Sequence, residues 1–330
     1  MTPKHPLQSA SRRPGNGGAY ALLAIAPLCW AGNIVLARGV VEMIPPVSFA
    51  LWRWTLAFVL LLPFAWGHVR RDWPEAVRHW KIVLFLSVTG ITGFNTLLYT
   101  AVHTTTAING ALIQTAMPAI IVLICLVAFG ERATRIQVFG VGLCMAGATA
   151  VVLRGRWATL RQMDFAQGDL IMVVAVVLYA MYSAGLRRRP KIHPLSFMAI
   201  TFGVGALGLL PLYGWEMSRT PAFVPSFEVV ASIFYVAVFP SIVAYFCWNG
   251  GIDRLGPNRG GLFINLIPVF ASLMAVVWLG ESLKLFHLAG MTLIAAGMVL
   301  FNRPATGFSK TKVKASPPVP ESDRGLEETP

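Results

Sequence analysis

Long runs of apolar residues alternate with short polar joints along most of the chain. Ten such runs cover approximately residues 19–38, 47–66, 81–101, 107–129, 135–153, 168–186, 195–214, 229–250, 259–279 and 285–302. A helix needs about 20 mostly apolar residues to cross a hydrocarbon core of roughly 30 Å. The pattern therefore predicts an all-α membrane protein with ten transmembrane helices.

The polar joints and tails separate these runs. Pro or Gly marks most joints, as at Pro45-Pro46, Gly130-Glu131 and Gly256-Pro257, where a helix cannot easily continue. Residues 1–18 form a polar tail without a cleavage pattern, so we expect the first run to remain as a helix. Residues 303–330 are rich in Pro, Ser, Lys and Glu, which predicts a disordered tail.

The two halves of the chain repeat one another at an offset of about 150 residues. Pro-Val-Ser-Phe at 46–49 recurs as Pro-Leu-Ser-Phe at 194–197, and Gly130-Glu131 recurs as Gly280-Glu281. Each unit holds five runs, an odd number, so the second unit enters the membrane in the opposite sense. The sequence predicts two inverted five-helix repeats, which is typical of transporters with a midplane binding site. The repeats cover 19–153 and 168–302.

Composition and charge support a membrane location. Hydrophobic residues make up 56% of the chain and charged residues 12%, against roughly 25% charged in soluble domains. The net charge of +13 does not indicate nucleic-acid binding, because the basic residues punctuate apolar runs. With the termini inside, 20 Lys and Arg residues fall on the cytoplasmic side and six outside, three of them in the exceptional loop 154–161. The positive-inside rule thus predicts cytoplasmic termini in a multi-pass membrane protein.

Polar and aromatic residues near the middle of the runs are candidates for a substrate cavity. Trp30 and Asn33 share a face of the first helix, and Tyr179 and Tyr182 stand at the matching positions 149 residues later. A mid-membrane amide or hydroxyl needs a partner, which either a wet cavity or hydrogen bonding between packed helices supplies. The remaining candidates of this class are Asn95, Tyr99, Gln114 and Asn265.

Two prolines at equivalent positions are candidate hinges. Pro118 and Pro268 lie inside the fourth and ninth runs, where each removes a helix hydrogen bond and leaves the carbonyl of Gln114 or Ile264 available. The alternative is that they kink the helices for packing. Their symmetric placement favours the hinge.

The charged residues discriminate between transporter classes. Every acidic residue falls in a predicted joint, tail or helix end, which disfavours a proton-coupled multidrug exporter with an embedded carboxylate. Arg53 lies about two turns inside the second run, where it packs or snorkels, or else binds carboxylates. His103, at the outer end of the third run, is expected to be an interface residue rather than a proton carrier.

Motifs for catalysis, metals and cofactors give no support to an enzyme. The four cysteines lie inside apolar runs without metal-site spacing, so we expect neither zinc nor disulfides. Gly203, Gly205 and Gly208 spell GxGxxG, but inside an apolar helix, where small residues indicate close packing rather than dinucleotide binding. We expect no catalytic residue and no cofactor, although a membrane-embedded enzyme or scaffold stays a separate alternative.

Three features of the sequence stand out together: the five-plus-five pattern of runs, Arg53 within the stretch Phe-Ala-Leu-Trp-Arg-Trp-Thr-Leu-Ala, and the segment from proline to Gly-Glu that ends the fourth run and recurs at the ninth. In these features the chain resembles the EamA branch of the drug/metabolite transporter superfamily. The resemblance covers about residues 19–302 and is greatest to bacterial amino-acid exporters of the YddG type. It implies export of amino acids, aromatic ones included, by alternating access across the bacterial inner membrane. The second half departs by having Phe202 where the first has Arg53. We expect a monomer; a multidrug or quaternary-amine exporter is the alternative.

Overall fold

The computed structural model describes residues 16–40, 42–162, 166–221, 223–279 and 284–302, which are helical with short joints and contain no strand. The predicted tail 303–330, most of the tail 1–18, and Gly280-Glu281 lie outside the described residues. The helices are α1 Gly17–Val40, α2 Pro46–Arg78, α3 Trp80–Thr104, α4 (Ala107–Thr115 and Met117–Phe129), α5 Arg135–Val152, α6 Gln167–Arg188, α7 Pro194–Met217, α8 Phe227–Leu255, α9 (Pro257–Gly261, Leu262–Leu266 and Ile267–Leu279) and α10 Leu285–Asn302.

Eight of these helices are long and apolar enough to cross a membrane, judged over the described residues. The other two are α1 and the three-part α9. The chain is therefore an all-helical, multi-pass membrane protein in the part that the structure describes. The count of ten spans stays a prediction.

Helix α2 is much longer than the apolar run predicted. The run ends near residue 66, yet the helix continues to Arg78 and leaves His79 alone as the joint to α3. The extension is held by a small apolar cluster of Ala76, Val83 and Ile200. Tertiary packing thus keeps a polar segment helical, which the hydropathy pattern could not show.

Equivalent helices of the two halves pack against each other in opposite directions. In α5 and α10, a Cβ added to Gly147 would lie 2.6 Å from the Gly290 carbonyl oxygen, and one added to Gly140 would lie 2.7 Å from that of Gly297. The later residue of α5 faces the earlier residue of α10, so the two helices run antiparallel with their backbones in contact. Helices α2 and α7 also pack antiparallel, with Phe58 against Gly203.

The glycines of the GxGxxG string serve this packing, as the sequence predicted. A Cβ on Gly205 would collide with Ile91, and one on Gly208 would lie 2.8 Å from the Thr92 hydroxyl oxygen. That hydroxyl donates to the Gly205 carbonyl at 2.8 Å. The small residues of α7 therefore admit α3 at close range.

Two π-helical segments interrupt the long helices at equivalent places. One is Val88–Thr92 within α3 and the other is Ala237–Val243 within α8. A π segment re-aims backbone carbonyls and frequently marks a functional site. Both segments face the centre of the helix assembly, where the candidate site lies.

Candidate functional site

A partly enclosed cavity lies among the middles of helices from both halves. Helices α1 to α4 contribute from the first half, and α6 and α9 from the second. Its wall combines rings, amides, a guanidinium and aliphatic side chains: Trp30, Asn33, Arg53, Phe94, Asn95, Leu98, Gln114, Met117, Tyr179, Ile264 and Ile267.

The structure brings most of the predicted cavity residues together. Of the eight, the five that line the cavity are Trp30, Asn33, Asn95, Gln114 and Tyr179. Tyr99 borders it, because the ring lines a smaller neighbouring cavity with His103 while the hydroxyl reaches Asn33 and Arg53. The other two, Tyr182 and Asn265, are buried but are not part of this wall.

Trp30 and Tyr179, which occupy equivalent positions in the two halves, meet at the centre. Their ring centroids are 5.5 Å apart and the planes are nearly perpendicular, at 87°. This edge-to-face arrangement is favourable for aromatic pairs. Trp30 is also 5.2 Å from Trp248, measured between ring centroids. The aromatic centre is therefore built by both halves together.

Arg53 is buried among helices. Its side chain does not extend to a membrane surface, which was one of the alternatives that the sequence left open. It is 2% exposed and its guanidinium binds four groups on two other helices. Nη1 donates to Asn95 Oδ1 at 3.1 Å and to the Tyr99 hydroxyl at 2.6 Å, both on α3. Nε donates to Ser241 Oγ at 2.7 Å, and Nη2 to the Pro240 carbonyl at 3.1 Å, both on α8. The arginine therefore links α2, α3 and α8 beside the cavity.

The π segment of α8 supplies two of the four hydrogen-bond acceptors around Arg53, the Ser241 hydroxyl and the Pro240 carbonyl. Pro240 has no N–H to donate to Val236, and the Ser241 hydroxyl donates to that carbonyl instead, at 2.7 Å. The Pro240 carbonyl turns to the cavity side and accepts from both Trp30 Nε1 and Arg53, each at 3.1 Å. Sequence reasoning missed Pro240 and Ser241. The available signal was a Pro-Ser pair inside an apolar run.

Each half of the chain contains a hydrogen-bonded pair of one tyrosine and one asparagine, and the two residue types exchange positions between the halves. In the first half, the Tyr99 hydroxyl donates to Asn33 Oδ1 at 3.2 Å. In the second half, the Tyr182 hydroxyl donates to Asn249 Oδ1 at 2.7 Å. Each member of one pair stands about 150 residues from its counterpart, with tyrosine and asparagine swapped. Tyr182 thus serves helix packing, the alternative that the sequence left open.

The two prolines predicted as hinges each begin the second part of a broken helix. Pro118 follows a turn at Ala116, and Pro268 follows the 3-10 segment Leu262–Leu266. The structure corrects one of the two predicted free carbonyls, because the Ile264 carbonyl accepts from the Ile267 N–H in a tight turn. At the other proline, Ala116 N–H donates to the Ile113 carbonyl at 3.1 Å, so the free Gln114 carbonyl stays a prediction.

Buried carboxylates cap helix starts at both ends of the assembly. Glu216, near the end of α7, accepts from two backbone N–H groups at the start of α2 at 2.8 and 2.7 Å and from the Ser48 hydroxyl at 2.6 Å. Asp72, in α2, accepts from the Ser196 hydroxyl at 2.7 Å at the start of α7. Asp169 caps α6 by accepting from Ala166 N–H at 2.9 Å. These acids lie at helix ends as predicted, but Glu216 and Asp169 are buried.

The Gly-Glu ending of α4 joins three helices at the end of the assembly where α1 begins and α10 ends, here called the termini end. Gly130 adopts a left-handed conformation with φ of 68°, which glycine tolerates best and which stops the helix. Glu131 then forms an ion pair with Arg187 of α6 and accepts from Asn258 of α9 at 2.9 Å. Close by, Arg189 pairs with Asp253 at 3.2 Å.

The sequence matches curated transporters, and the fold matches a solved structure. A solved crystal structure superimposes with a TM-score of 0.69 over 86% of this chain and 97% of that chain, at 18% sequence identity. An uncharacterized transporter of Bacillus subtilis (strain 168), YyaM, is 28% identical over 285 residues, which are 85% of this chain and 92% of the relative. A probable terminal-alkyne amino-acid exporter of Streptantibioticus cattleyicolor is 27% identical over 291 residues, 86% of this chain and 93% of the relative.

The model of the EamA-like transporter family matches the chain twice, over residues 17–153 and 166–303. The two matches divide the chain where the repeat pattern does. Together they cover nearly all of its helical part, so the protein belongs to the EamA-like transporter family and is a membrane transporter.

Proposed function

We propose that this transporter exports amino acids, aromatic ones included, by alternating access across the bacterial inner membrane. It works as a monomer with ten spans, arranged as inverted repeats over 19–153 and 168–302, and with both termini in the cytoplasm. The YddG-type exporters are the subgroup whose substrates it shares. The predicted residues that line the cavity bind the substrate, and Pro118 and Pro268 act as hinges. The lining residues are Trp30, Asn33, Asn95, Gln114 and Tyr179.

The observation that carries this proposal is the composition of the central cavity wall. Rings at Trp30, Phe94 and Tyr179 offer a surface for an apolar or aromatic side chain. Amides at Asn33, Asn95 and Gln114 offer donors and acceptors for a zwitterion. An amino acid needs both kinds of surface at once.

The arrangement of the halves supports alternating access. Two pairs of equivalent helices run antiparallel, as inverted repeats require, and the cavity lies where both halves contribute. The contacts at the ends are ion pairs and capping bonds, such as Glu131 with Arg187 at the termini end and Glu216 with α2 at the other. Such polar contacts separate more readily than packed apolar cores, so each end can open in turn.

A multidrug or quaternary-amine exporter is the second candidate, because aromatic walls also bind cations. The guanidinium of Arg53 in the same wall opposes it, since like charges repel strongly at low dielectric. None of the described carboxylates lines this cavity to offset that charge. The amino-acid proposal therefore fits the wall better.

Flux in liposomes that hold the purified protein tests the proposal. We expect saturable flux of labelled phenylalanine, tryptophan, threonine and methionine, with the aromatic pair among the good substrates. An imposed pH gradient should leave the rate unchanged if no proton is coupled. Flux of a cationic dye with none of any amino acid would overturn the proposal in favour of the second candidate.

A further inference from the structure

Arg53 carries a positive charge that nothing in the described chain neutralises. All four groups that accept hydrogen bonds from its guanidinium are neutral: an amide oxygen, two hydroxyls and a backbone carbonyl. The Trp54 ring, whose centroid is 4.9 Å from Cζ, is neutral as well. The ion pairs of the described residues do not include it. A guanidinium has five N–H groups, and the four bonds leave one of them on Nη2 without a protein acceptor.

Burying a charge without an opposite charge costs free energy. The position of Arg53 indicates which group offsets that cost. Taking an ion out of water costs several kcal/mol even after relaxation, and neutral acceptors recover only part of that. Arg53 is 2% exposed, yet it lines the partly enclosed central cavity. A negatively charged ligand group in that cavity would complete the pairing.

We propose that Arg53 binds the carboxylate of the transported substrate, so that the transporter selects molecules bearing a carboxylate over amines of the same shape. This inference rests on the proposed function and narrows it, because it assigns the group that a substrate must have. The planar guanidinium fork matches a carboxylate in geometry, which a lysine ammonium does not.

The neighbours of Arg53 hold it ready for this role. Ser241 and the Pro240 carbonyl, both on the π segment of α8, fix Nε and one Nη2 N–H. Nη1 donates to Asn95, which itself lines the cavity. A carboxylate there gains the free N–H and replaces neutral acceptors by a charged one, which strengthens the hydrogen bonds.

The second half of the chain provides no equivalent cation. Phe202 stands 149 residues after Arg53 and packs on Trp54, with ring centroids 4.8 Å apart. The wall therefore has a single carboxylate position, oriented by the first repeat. The rings of Trp30 and Tyr179 border the same cavity and receive the apolar part of the substrate.

Substrate analogues test the inference on the unaltered protein. The probes are 3-phenylpropanoate, which has the carboxylate and no amine, and phenethylamine, which has the amine and no carboxylate. We expect 3-phenylpropanoate to inhibit phenylalanine flux at a concentration at least about tenfold below that of phenethylamine, the effect of one charge-assisted hydrogen bond. Equal inhibition, or stronger inhibition by the amine, would overturn the inference.

Variants of Arg53 distinguish binding of the substrate carboxylate from a purely structural role of this side chain. Arg53→Lys keeps the charge but loses the fork, and we expect its KM for phenylalanine to rise at least about tenfold and its preference for 3-phenylpropanoate to shrink. Arg219→Gln removes an exposed arginine in the joint after α7 and should leave both the KM and the preference unchanged. An Arg53→Lys protein that folds and keeps the wild-type preference would contradict the inference; if it does not fold, the analogue comparison decides.

Thermal stabilisation of the detergent-solubilised protein distinguishes the two proposals. If no amino acid is transported but 3-phenylpropanoate raises the unfolding temperature and phenethylamine does not, the proposed function fails and the carboxylate site stands. If amino acids are transported while both probes stabilise equally, the function stands and the site fails. If neither probe stabilises or inhibits, Arg53 is not a carboxylate site.

Discussion

Single side chains in and around the cavity divide into those that line it and those that join the helices beside it. Trp30 and Tyr179 belong to the first group, since both line the cavity and touch each other across the two halves. Tyr99 and Tyr182 belong to the second, since each joins two helices through an asparagine. Substitutions at the two kinds of position should therefore have different effects.

Replacing Trp30 or Tyr179 by alanine is expected to cut phenylalanine flux at least about tenfold, because a lost aromatic contact costs on the order of 0.5–1.5 kcal/mol beyond the area that the ring buries. The purified variants should still elute as folded, monodisperse protein. Trp66→Ala, at an exposed ring on the outside of α2, is the matched control and should transport normally. Wild-type flux in both cavity variants would remove these residues from the site.

Tyr99→Phe and Tyr182→Phe form a second comparison. Each deletes one hydroxyl from equivalent pairs, and each should destabilise the protein by about 1–3 kcal/mol because a buried asparagine loses its donor. Only the Tyr99 hydroxyl also accepts from Arg53. We therefore expect a changed KM in Tyr99→Phe alone, measured by flux, with thermal unfolding in detergent as the stability measurement. Equal changes in KM would contradict the assignment of Tyr99 to the site.

Two kinds of contact between equivalent helices of the two halves are backbone packing at glycines and capping by carboxylates. The contact between α5 and α10 is of the first kind, because glycines let the two backbones touch. The reciprocal contacts between α2 and α7 are of the second kind, with Glu216 and Asp72 each capping the partner helix. Each kind predicts its own sensitivity to mutation.

Gly147→Ala should destabilise the protein by about 1–3 kcal/mol, because the new methyl group collides with the Gly290 carbonyl oxygen and the packed backbone cannot yield. Gly142→Ala in the same helix is the control, since nothing lies within 4 Å of its added Cβ. That control should be neutral or stabilising by up to about 1 kcal/mol. Thermal unfolding of the two purified proteins gives the comparison, and equal midpoints would disprove the close contact.

Glu216→Gln should weaken the end of the assembly opposite to the termini. The glutamine amide keeps one oxygen acceptor, but its NH₂ group then faces a backbone N–H donor at the start of α2. The substitution also removes the negative charge that favours a helix start. We expect a loss of about 1–3 kcal/mol, measured as a lower unfolding temperature in detergent. Glu228→Gln, at an exposed helix start, should change little. The same unfolding temperature in both variants would show that the cap contributes nothing.

At the scale of the whole molecule, the predicted orientation of the chain in the membrane is tested with single introduced cysteines. All four native cysteines are buried, so a single introduced cysteine reports its own side of the membrane. Trp157→Cys lies in the joint before α6, and Val77→Cys lies at the termini end of α2; both positions are exposed. A membrane-impermeant maleimide added to intact cells should label Trp157→Cys and spare Val77→Cys. The reverse pattern would place the termini outside.

Several features were accessible from the sequence because they depend on local composition. The apolar runs located the helices within a few residues, except where packing at Ala76 extends α2. The offset of about 150 residues identified the duplication, and mid-span polarity identified five residues that line the cavity. These signals depend on the solvent that each segment faces, which hydropathy reports directly.

The remaining features depend on which helix faces meet, and a sequence does not specify that by itself. Depth along a helix suggested that Arg53 could reach a surface, whereas its neighbours on α3 and α8 enclose it and satisfy four of its donors. The π segments that aim the Pro240 carbonyl, and the turns that consume the Ile264 carbonyl, likewise arise from contacts between segments far apart in the chain. Hydropathy and repetition along the sequence thus determined an all-helical, duplicated membrane protein, while packing between the halves determined where Arg53 lies and which groups surround it.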